Sequence, residues 1–208
     1  MNNYRSILKP GEAEYEDRKS VFIGYAFPVT SEEQAQSYIK TIKSKHSDAR
    51  HHVYAYVLRE NNIARFSDDR EPQGTAGMPT LDVIRKNNLL DCLVVVVRYF
   101  GGTLLGTGGL VKAYGSAARD AVLNGEIIEY APYTFSHFVV SYQDYQKILP
   151  VINTTDIRIE STEFQAQVEI IVSYREDMHD SFVRKMIDIT SARTEVHFLK
   201  TEYDYRKI

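Results

Sequence analysis

The chain has no tryptophan and a single cysteine, Cys92, so it can form no intrachain disulfide and no all-cysteine metal site. No apolar run approaches the roughly 18 residues of a membrane span. The first residues, Met1-Asn2-Asn3-Tyr4-Arg5, lack the apolar core of a signal peptide. The expectation is a cytoplasmic protein with no membrane partner. Charge of one sign is scarce as well, the net value being −3. Through Tyr130 there are 16 Lys and Arg against 16 Asp and Glu, and beyond it 9 against 12. General duplex binding leans on a strongly basic face and is disfavoured by this balance. Any nucleic-acid surface is expected in the first part rather than the acidic last third.

Glycine is concentrated in one place. Arg98-Tyr99-Phe100-Gly101-Gly102-Thr103-Leu104-Leu105-Gly106-Thr107-Gly108-Gly109 holds five glycines between an apolar run, Leu93 to Val97, and a helical pattern from Leu110. A strand, a glycine-rich loop and a helix N-terminus in succession can present backbone N–H groups to an anion. A P-loop is absent, since no Lys-Ser or Lys-Thr pair follows. A dinucleotide fingerprint fails because Val111 stands where its third glycine belongs. Arg98 ends the strand and Lys112 opens the helix, so both are candidates to flank one anion. The alternative is that the glycines only shape a tight connection.

The 208 residues suit one large domain or two small ones. Periodicity favours a two-domain α+β protein. Residues 1–130 read as mixed α/β: a strand over Val21–Val29, then a capping box at Ser31-Glu32-Glu33-Gln34 opening a helix to about Lys45. His52–Leu58 reads as a strand and Thr80–Lys86 as helical. The uninterrupted run Leu93–Val97 has the pattern of a strand buried on both faces. Leu110, Tyr114, Ala117 and Ala121 fall at helical spacing, with Gly125 as a C-cap. The boundary is expected at Ala131-Pro132. Residues 131–208 then give a strand through Tyr133–Val139, a helix with Tyr145, Ile148 and Ile152, and a short strand near Ile157. An alternating strand from Phe164 to Val172, a helix with Phe182 and Met186 and a last strand over Thr194–Leu199 complete the order βαββαβ, which is ferredoxin-like.

Asp68, Asp69 and Glu71, within Phe66–Pro79, could bind a hard cation or simply cap a turn. Gly74 and Gly77 bracket Thr75-Ala76 before a helix, a second possible anion-facing N–H cluster. His51 and His52 are adjacent on a strand and point to opposite faces, which argues against a shared zinc ion. Cys92 has no identifiable base and reads as a small core residue. No G-x-S-x-G elbow is present. No catalytic residue and no cofactor are expected.

Gln73-Gly74-Thr75-Ala76-Gly77-Met78-Pro79, Val94 through Gly106 and Gly109-Leu110-Val111-Lys112-Ala113-Tyr114 together resemble the signature of the IMPACT family. The resemblance covers about residues 15–125, and the tail from Ala131 is similar to the extra domain of the bacterial two-domain YigZ type. It implies a first domain with the left-handed βαβ fold shared by a ribosomal-protein domain and elongation factor G domain IV. It also implies a second domain similar to elongation factor G domain V. Eukaryotic IMPACT proteins regulate translation by competing for an activator of the initiation-factor kinase, and they carry a separate N-terminal interaction domain for which these residues leave no room. The implied role is therefore translation- or RNA-associated without the kinase pathway.

The leading expectation is a non-enzymatic protein that binds RNA or a ribosome-associated partner. The residues named for it are Arg98, Gly101, Gly102, Gly106, Gly108, Gly109, Lys112 and Arg119, with Gly74, Thr75 and Gly77 as the second cluster. Lys112, Ser116 and Arg119 share one helical face. Tyr54, Tyr56, Tyr99 and Phe100 are candidates to stack bases. One alternative is a metal-dependent phosphoester or small-molecule enzyme using Asp68, Asp69 and Glu71. Another is a protein-interaction scaffold using the open sheet face of residues 131–208. Oligomeric state is not legible.

Overall fold

The computed structural model describes residues 3–207. The chain divides into two compact units, Tyr4–Glu129 joined by the last residues from Arg206, and Tyr130–Tyr205.

The first unit opens with β1 (Tyr4–Ile7), β2 (Gly11–Asp17) and β3 (Ser20–Pro28), followed by α1 (Glu32–Lys45) and β4 (His51–Leu58). It continues with β5 (Ile63–Ser67), α2 (Gly77–Lys86), β6 (Cys92–Tyr99) and α3 (Gly106–Asn124). The sheet order is β2-β3-β6-β4-β5, and every neighbouring pair is antiparallel. Because β3 and β4 both run antiparallel to the β6 between them, they are parallel to each other, and α1 makes the crossover. This βαβ unit is built around the apolar run that stood out in the sequence.

That run is buried on both faces. Val94 and Val96 join Phe22, Ala26, Val53 and the α3 residues Tyr114, Ala117 and Ala121 in one core. Leu93, Val95 and Val97 join Tyr25, Phe27 and the α1 residues Ala35, Ile39 and Ile42 in the other. The alternation follows from the two-residue period of a strand. The alanines of α3 let it lie directly on the sheet: a Cβ on Gly24 would stand 2.3 Å from the Ala117 carbonyl oxygen. Ser31 caps α1 as expected, its Oγ accepting from the Gln34 N–H at 3.3 Å. The Gln34 Oε1 reaches back to the N–H of Thr30, one residue before the cap.

β2 was not anticipated. It reads Gly-Glu-Ala-Glu-Tyr-Glu-Asp, and glutamate is depleted in strands. It pairs with β3 through a two-residue turn in which Arg18 and Lys19 both have positive φ, 47° and 65°. That geometry is normally signalled by asparagine or glycine, which are missing here.

The second unit contains β7 (Ile127–Val140), whose first residues belong to the first unit, then α4 (Tyr142–Asn153), β8 (Ile157–Phe164) and β9 (Val168–Arg175). It ends with α5 (His179–Thr190) and β10 (His197–Lys207). The strand order β10-β7-β9-β8 is the ferredoxin-like order for βαββαβ. Phe138, Val140, Ile148, Ile152, Val168, Ile170, Val172, Tyr174, Phe182 and Met186 form its core.

Two sequence expectations are corrected here. The alternation from Phe164 to Val172 is not one strand: Phe164 ends β8, Gln165 donates to the Gln167 carbonyl at 2.9 Å, and Val168 opens β9. The last strand begins at His197 rather than Thr194, because the Thr194 hydroxyl is tied to the Val139 carbonyl at 3.1 Å.

Candidate functional site

The acidic segment before α2 is the first place where the chemistry differs from its sequence reading. Asp68 turns back onto the N-terminus of α2. Its carboxylate accepts from the N–H groups of Gly74 at 2.9 Å, Ala76 at 3.1 Å and Gly77 at 2.7 Å. The anion facing this cluster is thus the protein's own side chain, a cap that favours the helix N-terminus. Thr75 is turned inward, its hydroxyl bonded to the Pro72 carbonyl at 2.7 Å. Gly77 is required by contact, since a Cβ there would stand 2.8 Å from Ser67 backbone carbon. Gly74, Thr75 and Gly77 are therefore structural and not an open anion site.

Asp69 and Glu71 point elsewhere. Asp69 Oδ2 accepts from the His52 N–H at 2.7 Å. Glu71 is buried, and its Oε1 accepts from Arg98 Nη1 and from the Tyr114 hydroxyl, both at 2.7 Å. Among the described residues no group of three or more His, Cys, Asp or Glu is placed to hold a metal ion. The three carboxylates of the metal reading are divided among three different tasks. His51 and His52 diverge as expected: His51 Nε2 lies 3.8 Å from Glu71, while His52 Nε2 bonds the His46 carbonyl at 2.9 Å.

Arg98 is 6% exposed and lines a cavity of about 380 Å³. The cavity is lined by Arg50, His51, Arg70, Glu71, Phe100 and the start of α3 at Gly106 and Thr107, among others. Arg50, Arg70 and Arg98 line it with the carboxylate of Glu71, and Arg70 Nε also lies 4.0 Å from Asp69 Oδ1. Arg98 gives Nη1 to Glu71, but its buried Nε has no hydrogen-bond partner among the described residues. The Arg98 and Arg50 guanidiniums lie 5.6 Å and 5.5 Å from the centre of the Phe100 ring, in cation–π range. Burial and the adjacent Glu71 push the Tyr114 hydroxyl far above its ordinary pKa, so it stays a donor.

The head of α3 lacks a side-chain cap and has no acidic residue in its first turn. Its N–H groups and helix dipole therefore face the cavity uncompensated. The five glycines serve different ends. Gly102 and Gly106 have φ of +86° and +70°, so they set the path of the loop. Gly101 lets the loop pass against the β2–β3 turn, where a Cβ would stand 2.1 Å from the Lys19 backbone. Gly109 packs on Leu105, and Gly108 faces open space.

Lys112 does not share this cavity. It lines a separate groove of about 320 Å³ between α2 and α3, with Lys86, Ser116, Arg119 and the single acid Asp82. Arg98 and Lys112 therefore do not flank one anion, since Lys112 sits on the outer face of the helix whose head stands at Arg98's cavity. Arg119 pairs with Asp120 at 2.9 Å in an exposed position. Of the four candidate aromatics, Tyr56 is buried and Tyr54 and Tyr99 pack against the α1 core, leaving Phe100 accessible at 39%. Sequence reasoning gave no binding role to Arg50, Arg70 or Lys86. Nothing local marks them, because chain segments distant in sequence bring them to these clefts.

The fold and these clefts define a two-domain α+β protein with a basic surface organised around one helix of its first domain. Residues 18–122 match the Impact N-terminal domain, and residues 138–193 match a domain of unknown function, DUF1949. The chain is 32% identical over 197 residues to IMPACT family member YvyE of Bacillus subtilis, covering 94% of this chain and 91% of that protein. It is 34% identical over 178 residues to IMPACT family member YigZ of Escherichia coli, covering 84% and 87%. A crystal structure of a hypothetical protein is similar at 30% identity and a TM-score of 0.60, covering 96% of this chain and 98% of that one. The chain belongs to the IMPACT family, in its bacterial two-domain form. No helix among the described residues is long and apolar enough to cross a membrane.

Proposed function

We propose that this protein is a non-enzymatic, translation-associated regulator that binds single-stranded RNA through its first domain. The observation that carries the reading is the α2–α3 groove of about 320 Å³, whose lining includes Lys86, Lys112 and Arg119 with Asp82 as its only acid. Counterion release from such a track drives RNA binding even when the net charge is −3. The Arg119–Asp120 pair is exposed and costs little to break, so the guanidinium is available to a phosphate. Phe100 at the neighbouring cavity supplies a stacking face. The resemblance to a ribosomal-protein domain and to elongation factor G domains supports the translational setting.

The enzyme reading loses support from the same geometry. Asp68, Asp69 and Glu71 are each held by their own protein partners. The Cys92 thiol is fully buried, which pushes its pKa up to about 12 and leaves it a neutral core residue.

Filter binding of the full chain to single-stranded and structured RNA across a salt series tests the proposal. Affinity for the single strand that falls linearly on a log–log plot is the expected result. Absence of binding, or an affinity indifferent to salt, overturns it.

A further inference from the structure

We infer that Leu104, on the glycine loop before α3, and Phe100 form an apolar clamp that takes one unstacked base of an RNA strand, so that this cleft selects single strands over duplex. The inference rests on the RNA-binding reading for the class of ligand and adds to it the residues that meet the base.

Two of the cleft's arginines are already matched: Arg98 gives Nη1 to Glu71 at 2.7 Å, and Arg70 Nε lies 4.0 Å from Asp69 Oδ1. What the cleft leaves unmatched is apolar. Leu104 and Leu105 are chain neighbours with opposite fates, Leu105 being buried and Leu104 81% exposed. Leu104 thus forgoes the gain that burial of a leucine brings. A lone exposed leucine would be ordinary. Here the exposed Phe100 and Pro72 line the same cavity of about 380 Å³, together with the buried Leu105 and Leu110. The loop is also braced from behind. The Gly101 N–H donates to Ser20 Oγ at 3.1 Å, and Arg18 Nη1 donates to the Leu104 carbonyl at 3.4 Å. Leu104 is therefore held in place before any ligand arrives, which lowers the entropic cost of binding.

The charges beside this apolar pair define the occupant. Among the described residues no ion pair involves Arg18 or Arg50, and the Arg50 guanidinium lies 5.5 Å from the centre of the Phe100 ring. An occupant with a flat apolar face and a negative charge next to it satisfies both features, and a nucleobase with its phosphate has that form. Bases of any identity stack on an aromatic face, and leucine is among the apolar wedges that part base steps. A base inside a duplex is stacked and paired, so it enters such a clamp only at the cost of unpairing. A lipid surface would also be anionic and apolar, but one projecting leucine offers it little area to bury. The clamp and the α2–α3 groove share α3: Thr107 lines the first and Lys112 the second, about 8 Å apart along the helix axis. One strand can therefore lay its phosphates on Lys112 and Arg119 and its next base on Phe100 and Leu104.

The experiment uses two variants of the full chain. Leu104→Ser removes the apolar tip, and Leu104→Trp puts the sole indole of a chain without tryptophan at the same place. The side chain at this position is open to solvent, so both variants should melt with the parent. The probes are a single-stranded RNA oligonucleotide, the same strand annealed into a duplex, inorganic polyphosphate and anionic phospholipid vesicles. Leu104→Ser should bind the single strand about fivefold more weakly than the parent, with an unchanged log–log salt slope because no phosphate contact is lost. Its affinity for polyphosphate should be parental. The single strand should quench the indole emission of Leu104→Trp, and duplex and polyphosphate should leave it unmoved. Parental affinity of Leu104→Ser for the single strand, a loss that extends equally to polyphosphate, or quenching as strong with duplex overturns the inference, while salt-dependent binding by the parent keeps the RNA reading standing. A parent that binds neither strand nor duplex overturns the RNA reading and this inference with it, and a blue shift of the indole on vesicles in that case assigns the tip to a lipid surface.

Discussion

Arg98 Nη1 donates to Glu71 Oε1 at 2.7 Å, with the two side chains only 7% and 4% exposed. Twenty-seven residues of chain separate them, and the pair joins the end of β6 to the loop before α2. Tyr114 of α3 donates to the same oxygen, so three elements meet at one carboxylate.

Removing one partner of this pair leaves a charge buried without compensation. Arg98→Ala is expected to lower stability by about 3–5 kcal/mol, read from the urea midpoint at unchanged slope. Glu71→Leu together with Arg98→Met should cost far less than either charge-stranding single change, since a well-packed apolar pair avoids the desolvation penalty. A loss below about 1 kcal/mol for Arg98→Ala, the range of exposed pairs, would show that water reaches the site.

Asp68 should matter for stability and not for RNA. Asp68→Ala removes the carboxylate that accepts from Gly74, Ala76 and Gly77 and is expected to cost about 1–2 kcal/mol. Filter binding should show parental RNA affinity and salt slope. A gain in phosphate binding in this variant would mean that the α2 end is a ligand site that Asp68 merely shields.

His46 gives the first domain a pH dependence. Its Nε2 and Nδ1 each lie 2.8 Å from a hydroxyl, of Tyr25 and Tyr99 respectively. Burial, then the neighbouring Lys45 and His52 charges, hold its pKa below the ordinary 6.5. The unfolded chain therefore binds this proton more readily than the folded one. The contribution is complete above about pH 6.5 and is lost as pH falls through the lower folded value. Melting temperatures taken at falling pH should decline below about pH 6.5, and His46→Gln should flatten that decline. An unchanged decline in the variant would assign it to other groups.

Cys92 should be silent in the native protein. Burial pushes its thiol up to about 12, and the thiolate is the reactive form. A maleimide reagent should label it only in denaturant, and mass spectrometry reads the modification directly. Rapid labelling without denaturant would contradict the burial of Cys92 at the start of β6, the central strand of its sheet.

What the sequence made legible was whatever repeats along the chain. The run ending at Val97, the α1 cap at Ser31 and the alanine spacing of α3 all carry a period or a local signature, and each folds as its pattern implies. The βαββαβ order of the second domain came from the same source. β2 was missed because its alternating glutamates suit an exposed edge rather than a strand propensity. The candidate site was half legible. Its glycines announce a special loop, but contact between distant segments decides which charges meet there. Asp68 capping α2 converts an apparent metal ligand into a structural group, and Glu71 beneath Arg98 converts an apparent surface charge into a buried one. Arg50 reaches Phe100 only through the pairing of His51 with Arg98 across β4 and β6.

The most direct measurement of the central claim is the salt dependence of single-stranded RNA affinity in Lys112→Ala/Arg119→Ala, beside the parent. Both residues line the α2–α3 groove, and neither belongs to a buried pair, so folding should be preserved. The account predicts weaker binding at every salt concentration and a log–log slope shallower by roughly one unit for each residue removed. Parental affinity with a parental slope would contradict it and take the groove out of RNA binding.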